Sequence, residues 1–282
     1  ITNLNRERNK QIITQAKELN TLLLKNNITS IFLKGTGNLL AGIYDDISER
    51  MVGDIDFVFS KDDYPKAISI LRENGYSEVE KYAYYIPEEK HYRRLKKENN
   101  IAAIEIHKEI LVEKYIDEFN YSFVKKDSQI INEVAVLSYA NKLNLSIIAN
   151  QINDNVFFYK SIPLRNAYDV FLLSKKTSAK DAVNSLDTLN HSLNCFLATC
   201  HEVFNSVASL DYNNTTITAA YLNDFNSQFA NPKATYRKHK RIQIYLFLKQ
   251  RLNVIYKCIL HKEYRVWLFK RVTDKNWYKE KL

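Results

Sequence analysis

Glycine and proline are scarce in this 282-residue chain, at 5 and 4 copies. That excludes collagen-like and low-complexity architectures, which need both in quantity. It implies long helices and little linker. Cysteine is scarce too: Cys195, Cys200 and Cys258 are too few for a disulfide framework. A reducing, cytoplasmic setting is therefore expected. No run of about 18 apolar residues occurs, so no membrane-spanning helix is expected. The N-terminal stretch lacks the charged-then-apolar order of a secretory signal. It also lacks an initiator Met, so the chain is expected to be trimmed or partial at that end. Internal repeats and low-complexity tracts are missing. So is a glycine fingerprint for dinucleotides: counted from Gly35, the third glycine of G-x-G-x-x-G would fall at Leu40, and P-loop spacing is absent.

What is present suits a packed globular protein of one large domain or two ordinary ones, with 45% hydrophobic and 12% aromatic residues. The net charge of +9 is unevenly spread. Residues 233–282 hold 15 Lys/Arg against 3 Asp/Glu, a net +12, which leaves −3 for the rest. An anionic partner for the basic character belongs there.

Helical periodicity runs over 5–26, with apolar positions at Ile12, Ile13, Ala16, Leu19, Leu22 and Leu23. A strand is predicted at 28–33, a helix at 36–44 and a second strand at 54–60. A helix from Asp62 or Asp63 to Asn74 closes on Gly75 at C′. Three β-like runs follow at 76–85, 91–97 and 101–107, the last two joined by a turn at Glu98-Asn99-Asn100. Beyond about residue 110 helical texture dominates. Helices are predicted at 112–119, 133–148, 162–175, 179–205, 216–229 and 236–270.

The chemistry concentrates in Ile31–Phe59. A β-like run meets the turn Lys34-Gly35-Thr36-Gly37, and Gly53-Asp54-Ile55-Asp56 opens a second strand. Alternation along a strand puts Asp54 and Asp56 on one face, their Cβ atoms about 6–7 Å apart. That spacing suits one or two divalent cations, and metal-dependent phosphate chemistry is the natural reading. In Ile101–His107 the apolar face is 102, 104 and 106, and Glu105 and His107 lie opposite. If the two strands are neighbours, three carboxylates converge. Such a trio would hold Mg²⁺ and leave coordination positions for substrate phosphates. Lys34-Gly35-Thr36 at a helix start would offer N–H groups to phosphate oxygens. Lys34, Arg50, Arg93 and Arg94 are candidate cations for developing charge. Arg93 and Arg94 face opposite ways on a strand, so one of them should line the site, and Arg50 could brace the carboxylates instead.

The order LKG, an Arg just before GDID, then IEIH resembles the nucleotidyltransferases of the DNA polymerase β superfamily. Within it the chain is most similar to a poorly characterised bacterial group with toxin-like and polysaccharide-cluster members. The resemblance spans roughly 10–110, with a weaker echo at Leu164-Arg165-Asn166-Ala167-Tyr168-Asp169. It implies an α+β fold: an N-terminal nucleotidyltransferase domain with a mixed sheet at 1–125, then a helical, acceptor-binding domain at 126–282 with the basic segment. It implies Asp54, Asp56 and Glu105 as catalytic and metal-holding residues, and Mg²⁺ (or Mn²⁺) as cofactor. It implies an NTP, ATP included, as substrate, gripped by Lys34, Gly35, Thr36, Arg50 and Arg93. Gly-Thr replaces the commoner Gly-Ser or Gly-Gly and keeps the hydroxyl of the former. The acceptor stays open among RNA such as tRNA, a protein hydroxyl, and a small surface-polysaccharide precursor.

Rival readings stand beside this one. The chain could be an inactive nucleotide- or RNA-binding module of the same fold. His91 and His107 could be structural. His191, Cys195, Cys200 and His201 invite a zinc reading, but H-x3-C-x4-C-H matches no common paired-ligand pattern. The basic segment could be a core helix with a solvated face, a nucleic-acid surface, or a helix lying peripherally on a membrane with Trp267 and Phe269 at headgroup level.

Overall fold

The computed structural model describes residues 2–79, 87, 90–111 and 113–274. Its helices are α1 (Thr2–Leu24), α2 (Lys34–Leu40), α3 (Tyr64–Glu73), α4 (Tyr121–Lys126), α5 (Tyr139–Gln151) and α6 (Val156–Tyr159). They continue with α7 (Leu164–Ser174), α8 (Ala179–Asn184), α9 (Asn190–Val203), α10 (Thr216–Ala230), α11 (Pro232–Leu260) and α12 (Lys262–Thr273). The strands are β1 (Ile31–Phe32), β2 (Ile55–Val58), β3 (Tyr76–Glu78), β4 (Leu95–Lys97), β5 (Ile104–His107), β6 (Gln129–Ile131) and β7 (Val134–Val136). All seven form one mixed sheet in the order β3-β4-β5-β2-β1-β7-β6.

The centre of that sheet carries the site. β2 runs parallel to β5 with Asp56 opposite Glu105 and Val58 opposite His107. β1 is antiparallel to β2 and parallel to β7. Along β2, Ile55 and Phe57 are fully buried, and Phe57 packs between Phe32 and Phe59. Along β5, Ile104 and Ile106 are fully buried while Glu105 points to the other face. Period-two alternation thus commits one face to packing and leaves the other for charge.

α2 follows β1 almost without a connection, and Gly37 makes this possible. A Cβ there would sit 2.5 Å from the Phe32 carbonyl oxygen and 2.9 Å from its carbon. Backbone cannot yield as a side chain can. Gly37→Ala is expected to cost about 1–3 kcal/mol, seen as a lower urea midpoint at unchanged slope.

α1 holds the loop before β2 through polar side chains, of which Asn9 is fully buried. The Asn9 amide donates to the carbonyls of Ile47 (2.6 Å) and Arg50 (2.7 Å). Arg6 pairs with Asp46, whose side chain also caps the short turn at Ile47–Glu49. Gln15 donates to the Ala102 carbonyl and accepts from its N–H, fixing the approach to β5.

The structure revises several sequence expectations. The helix expected at 112–119 is a short turn at Glu113–Tyr115 (residue 112 lies outside the described residues), with α4 beginning only after the Asn120 cap. The helix expected at 133–148 begins instead as a hairpin. Asn132 and Glu133 both have positive φ, 50° and 67°, as a two-residue turn between twisted strands requires. α5 starts only after Ser138, whose hydroxyl accepts from Asn141 N–H. The helix expected at 179–205 breaks into α8 and α9 where the Glu118 carboxylate takes the Thr188 hydroxyl and the Leu189 N–H. The helix expected at 236–270 breaks at His261, which is extended. Of the β-like run at 76–85, residues 76–78 form β3 and 80–85 lie outside the described residues.

Lys142, on α5, is almost fully buried. Its ammonium donates to the Leu137 carbonyl, and burial pushes its pKa down to about 7. The unfolded chain therefore holds one more proton than the folded one from about pH 7 to about pH 10, and stability rises with pH across that window. Lys142→Met is expected to be more stable than wild type at neutral pH, by up to a few kcal/mol. That advantage should shrink as pH approaches 10, as read from urea midpoints at the two pH values.

The chain divides into two compact units, Ile1–Val79 with Lys90–Asn226, and Glu80–Glu89 with Ser227–Leu282. The sheet lies in the first, and its last two strands fall beyond residue 125. In the second unit Tyr264 and Trp267 are buried, and the Tyr264 hydroxyl donates to the Pro87 carbonyl at 2.8 Å. Trp267 is therefore not presented at a surface, whereas Phe269 is exposed. α11 has no buried residue. No described helix is long and apolar enough to cross a membrane.

Candidate active site

The β2–β5 register carries Asp56 and Glu105 to the same level of adjacent strands, and Asp54 precedes them at the head of β2. Two cations tie the three carboxylates together. The Lys34 ammonium is 2.6 Å from Asp56 Oδ1 and 3.7 Å from Glu105 Oε2. The Arg94 guanidinium pairs with Asp54 and lies 3.9 Å from Glu105 Oε1. Asp56 and Glu105 thus share one ammonium, and Asp54 and Glu105 share one guanidinium. Lys34 can reach inward because it opens α2 in the left-handed region, at φ 49°.

Arg93 and Arg94 lie just before β4, and the structure distinguishes them clearly. Arg94 reaches the carboxylates, while Arg93 pairs with Glu78 on β3 at 2.5 Å. Arg50 braces a carboxylate of the helical segment: its Nε lies 3.1 Å from Asp169 Oδ2 on α7. Gly35 lies beneath Val52 and Arg50, close enough that a Cβ would meet Val52 Cγ2 at 2.9 Å. Thr36 is fully buried, and its hydroxyl donates to the Asp54 carbonyl at 2.9 Å. That hydroxyl positions the acidic strand in this arrangement rather than facing the cleft.

The electrostatics separate the carboxylates. Burial opposes the charge on Asp56, but Lys34 and the His107 hydrogen bond outweigh it and hold its carboxyl well below the usual range. Burial and the negative field of Asp56 push Glu105 up to about 7, against Lys34. Burial, then the positive field around it, pushes His91 far down; burial and Lys34 lower His107, against Asp56. Both rings are neutral near pH 7. The cluster has three carboxyl groups and two resident cations, and Glu105 resists ionising. Oxygen donors short of positive charge fit a hard divalent cation such as Mg²⁺.

A cleft of about 260 Å³ opens beside the carboxylates, lined by Lys34, Gly35, Arg50, Lys90, Arg165 and Asp169 among others. Burial and the like charge of Lys34 push the Lys90 ammonium pKa down. An anion in the cleft would relieve that strain. Lys90, Arg165 and Asp169 escaped the sequence search for site residues. The LRNAYD echo carried a signal for the last two; Lys90 sits beside residues with no recognisable pattern. Cys195 and Cys200 are buried in α9, and burial pushes both thiols up. Neither belongs to a cluster of possible metal ligands among the described residues.

A family described as uncharacterised nucleotidyltransferase matches residues 1–204. No curated protein matches the chain. Among solved structures, an antigenic nucleotidyltransferase-like protein from Paracoccidioides brasiliensis is similar at 15% identity and a TM-score of 0.46, covering 71% of this chain and 92% of its own. JHP933 from Helicobacter pylori is similar at 14% identity and a TM-score of 0.36, covering 86% of this chain and 97% of its own. Neither likeness bears on the chemistry of the site.

Proposed function

The chain belongs to the family of uncharacterised nucleotidyltransferases, and from that premise we propose that it transfers a nucleoside monophosphate from an NTP to an acceptor hydroxyl or phosphate. One observation carries the reading: Asp54, Asp56 and Glu105 meet on adjacent strands beside a cation-lined cleft. An acceptor oxygen bonds to the α-phosphorus, the bond to the β-phosphate oxygen breaks, and pyrophosphate leaves. Asp54, Asp56 and Glu105 would hold a divalent cation, which when bound supplies charge neutralisation at the reacting phosphate.

The remaining work falls to side chains of the chain itself. Lys34 and Lys90 supply positive charge at the mouth of the cleft, where phosphate oxygens would replace the carboxylates as partners. Arg165 lines the same cleft and extends that field. Arg50, fixed by Asp169, keeps the loop before β2 in place. Glu105 stands at the edge of the cluster, suited to taking the acceptor's proton. The basic segment at 233–282 supports an anionic acceptor such as RNA.

Purified protein with Mg²⁺ and each α-labelled NTP, offered cellular RNA and cellular protein, is expected to move label onto one acceptor class, and Asp54→Asn is expected not to. Binding of nucleotide without transfer to either class would favour the inactive-module reading instead. The mass of the labelled product identifies the acceptor.

A further inference from the structure

His107 and His91 are left over from that reading, and they lie together. His91 forms an isolated antiparallel bridge to His107, and the two rings meet edge to face with centroids 4.1 Å apart. One nitrogen of each ring and one Glu105 oxygen lie within 4.8 Å of one another. His91 Nδ1 is 3.6 Å from Glu105 Oε2. The Nδ1 atoms of both rings are buried and make no hydrogen bond. His107 is 1% exposed, and burying an imidazole nitrogen without a partner is expensive. Its other nitrogen meets Asp56 Oδ1 at 3.0 Å, the kind of carboxylate partner that orients a ligating imidazole.

We propose that His91, His107 and Glu105 form a second cation centre, for a late first-row divalent metal of the zinc class, sharing Glu105 with the carboxylate cluster. Two imidazoles and one carboxylate are the donor set such metals favour, whereas Mg²⁺ prefers oxygen alone. Zinc–nitrogen bonds of about 2.0–2.1 Å bring donors closer than 4.8 Å. His91 must therefore turn inward, and at 20% side-chain exposure on the cleft wall it has room to do so. The cleft is also the entry path. Because one carboxylate serves both centres, filling the histidine centre alters what Glu105 offers to the other.

The proposal stands on the histidines and does not require the transfer reaction. The test is a Co²⁺ titration of the full chain in excess Mg²⁺, read by visible absorbance, with Zn²⁺ competition. Wild type is expected to bind one Co²⁺ that Zn²⁺ displaces and Mg²⁺ does not. His91→Gln, at a half-buried position, is expected to lose at least about 10-fold in Co²⁺ affinity, the low end for a disturbed metal site. Asp54→Asn is expected to bind Co²⁺ as wild type does, while its label transfer separately tests the nucleotidyl-transfer reading. Wild-type affinity in His91→Gln would overturn the proposal. So would displacement of Co²⁺ by Mg²⁺, or an equal loss in Asp54→Asn, because either would place the metal on the carboxylates alone.

Discussion

Asp56→Asn is expected to leave a folded protein whose label transfer falls by roughly 10³-fold or more. Several kcal/mol of charge stabilisation at the phosphate is the usual contribution of a metal-holding carboxylate, and each 1.36 kcal/mol is about tenfold in rate. Asn suits this test better than Ala. The Asp56 oxygen serves the Lys34 ammonium at 2.6 Å and the His107 ring at 3.0 Å, and it is nearly buried. Asn keeps an oxygen for these groups and removes only the charge. Ala would also take away the oxygen that both groups share, and leaving buried donors without an acceptor costs about 1–3 kcal/mol each, more where the donor is charged. Transfer would then fall for want of folded protein. Single-turnover label transfer, beside a urea midpoint for each variant, separates the two. Transfer within tenfold of wild type in a folded Asp56→Asn protein would remove Asp56 from the chemistry.

The second large effect is on stability. Asp169→Ala is expected to cost about 3–5 kcal/mol. Asp169 is 2% exposed, and its carboxylate accepts from Arg50 Nε and from the Tyr44 hydroxyl at 2.8 Å. Burial pushes that carboxyl upward, against Arg50 and Tyr44, so the charge is tolerated only because its partners are in place. Removing it strands a guanidinium that is itself nearly buried. Replacing both partners with apolar side chains, Arg50→Met with Asp169→Leu, is expected to recover more than half of the loss, because the desolvated charges leave together. A double-mutant cycle in urea measures the coupling. Additive losses would mean that the two residues act independently.

Much of the sheet was legible because its signals are local. The alternation in Ile55–Val58 and Ile104–His107, and Gly75 closing α3, are read from neighbours in sequence. So is the shared face of Glu105 and His107. What escaped depends on distant partners. Nothing near Glu133 announces that Val134–Val136 will lie beside β1; the clue was the pair Asn132-Glu133, which lacks the glycine that marks most such turns. The break between α8 and α9 is enforced by Glu118, some seventy residues upstream. The meeting of the three carboxylates on neighbouring strands was legible from the motif. The division of labour between Arg93 and Arg94 was not, since it turns on which side of β4's lead-in reaches Glu78. Thr36 was read for its hydroxyl, and that hydroxyl serves the Asp54 carbonyl.

The β6–β7 hairpin sets where the protein can be cut. β7 lies along β1, the strand that delivers Lys34, and α7 beyond it supplies the anchor of Arg50. A fragment ending near residue 125 would strip one flank from β1 and leave a row of unpaired backbone groups, an open template for foreign strands. It would also strand Arg50. The part that carries the carboxylates therefore cannot be excised at the point where the helical texture begins. A fragment that keeps both flanks of β1 and the anchor of Arg50 has to run at least as far as Ser174.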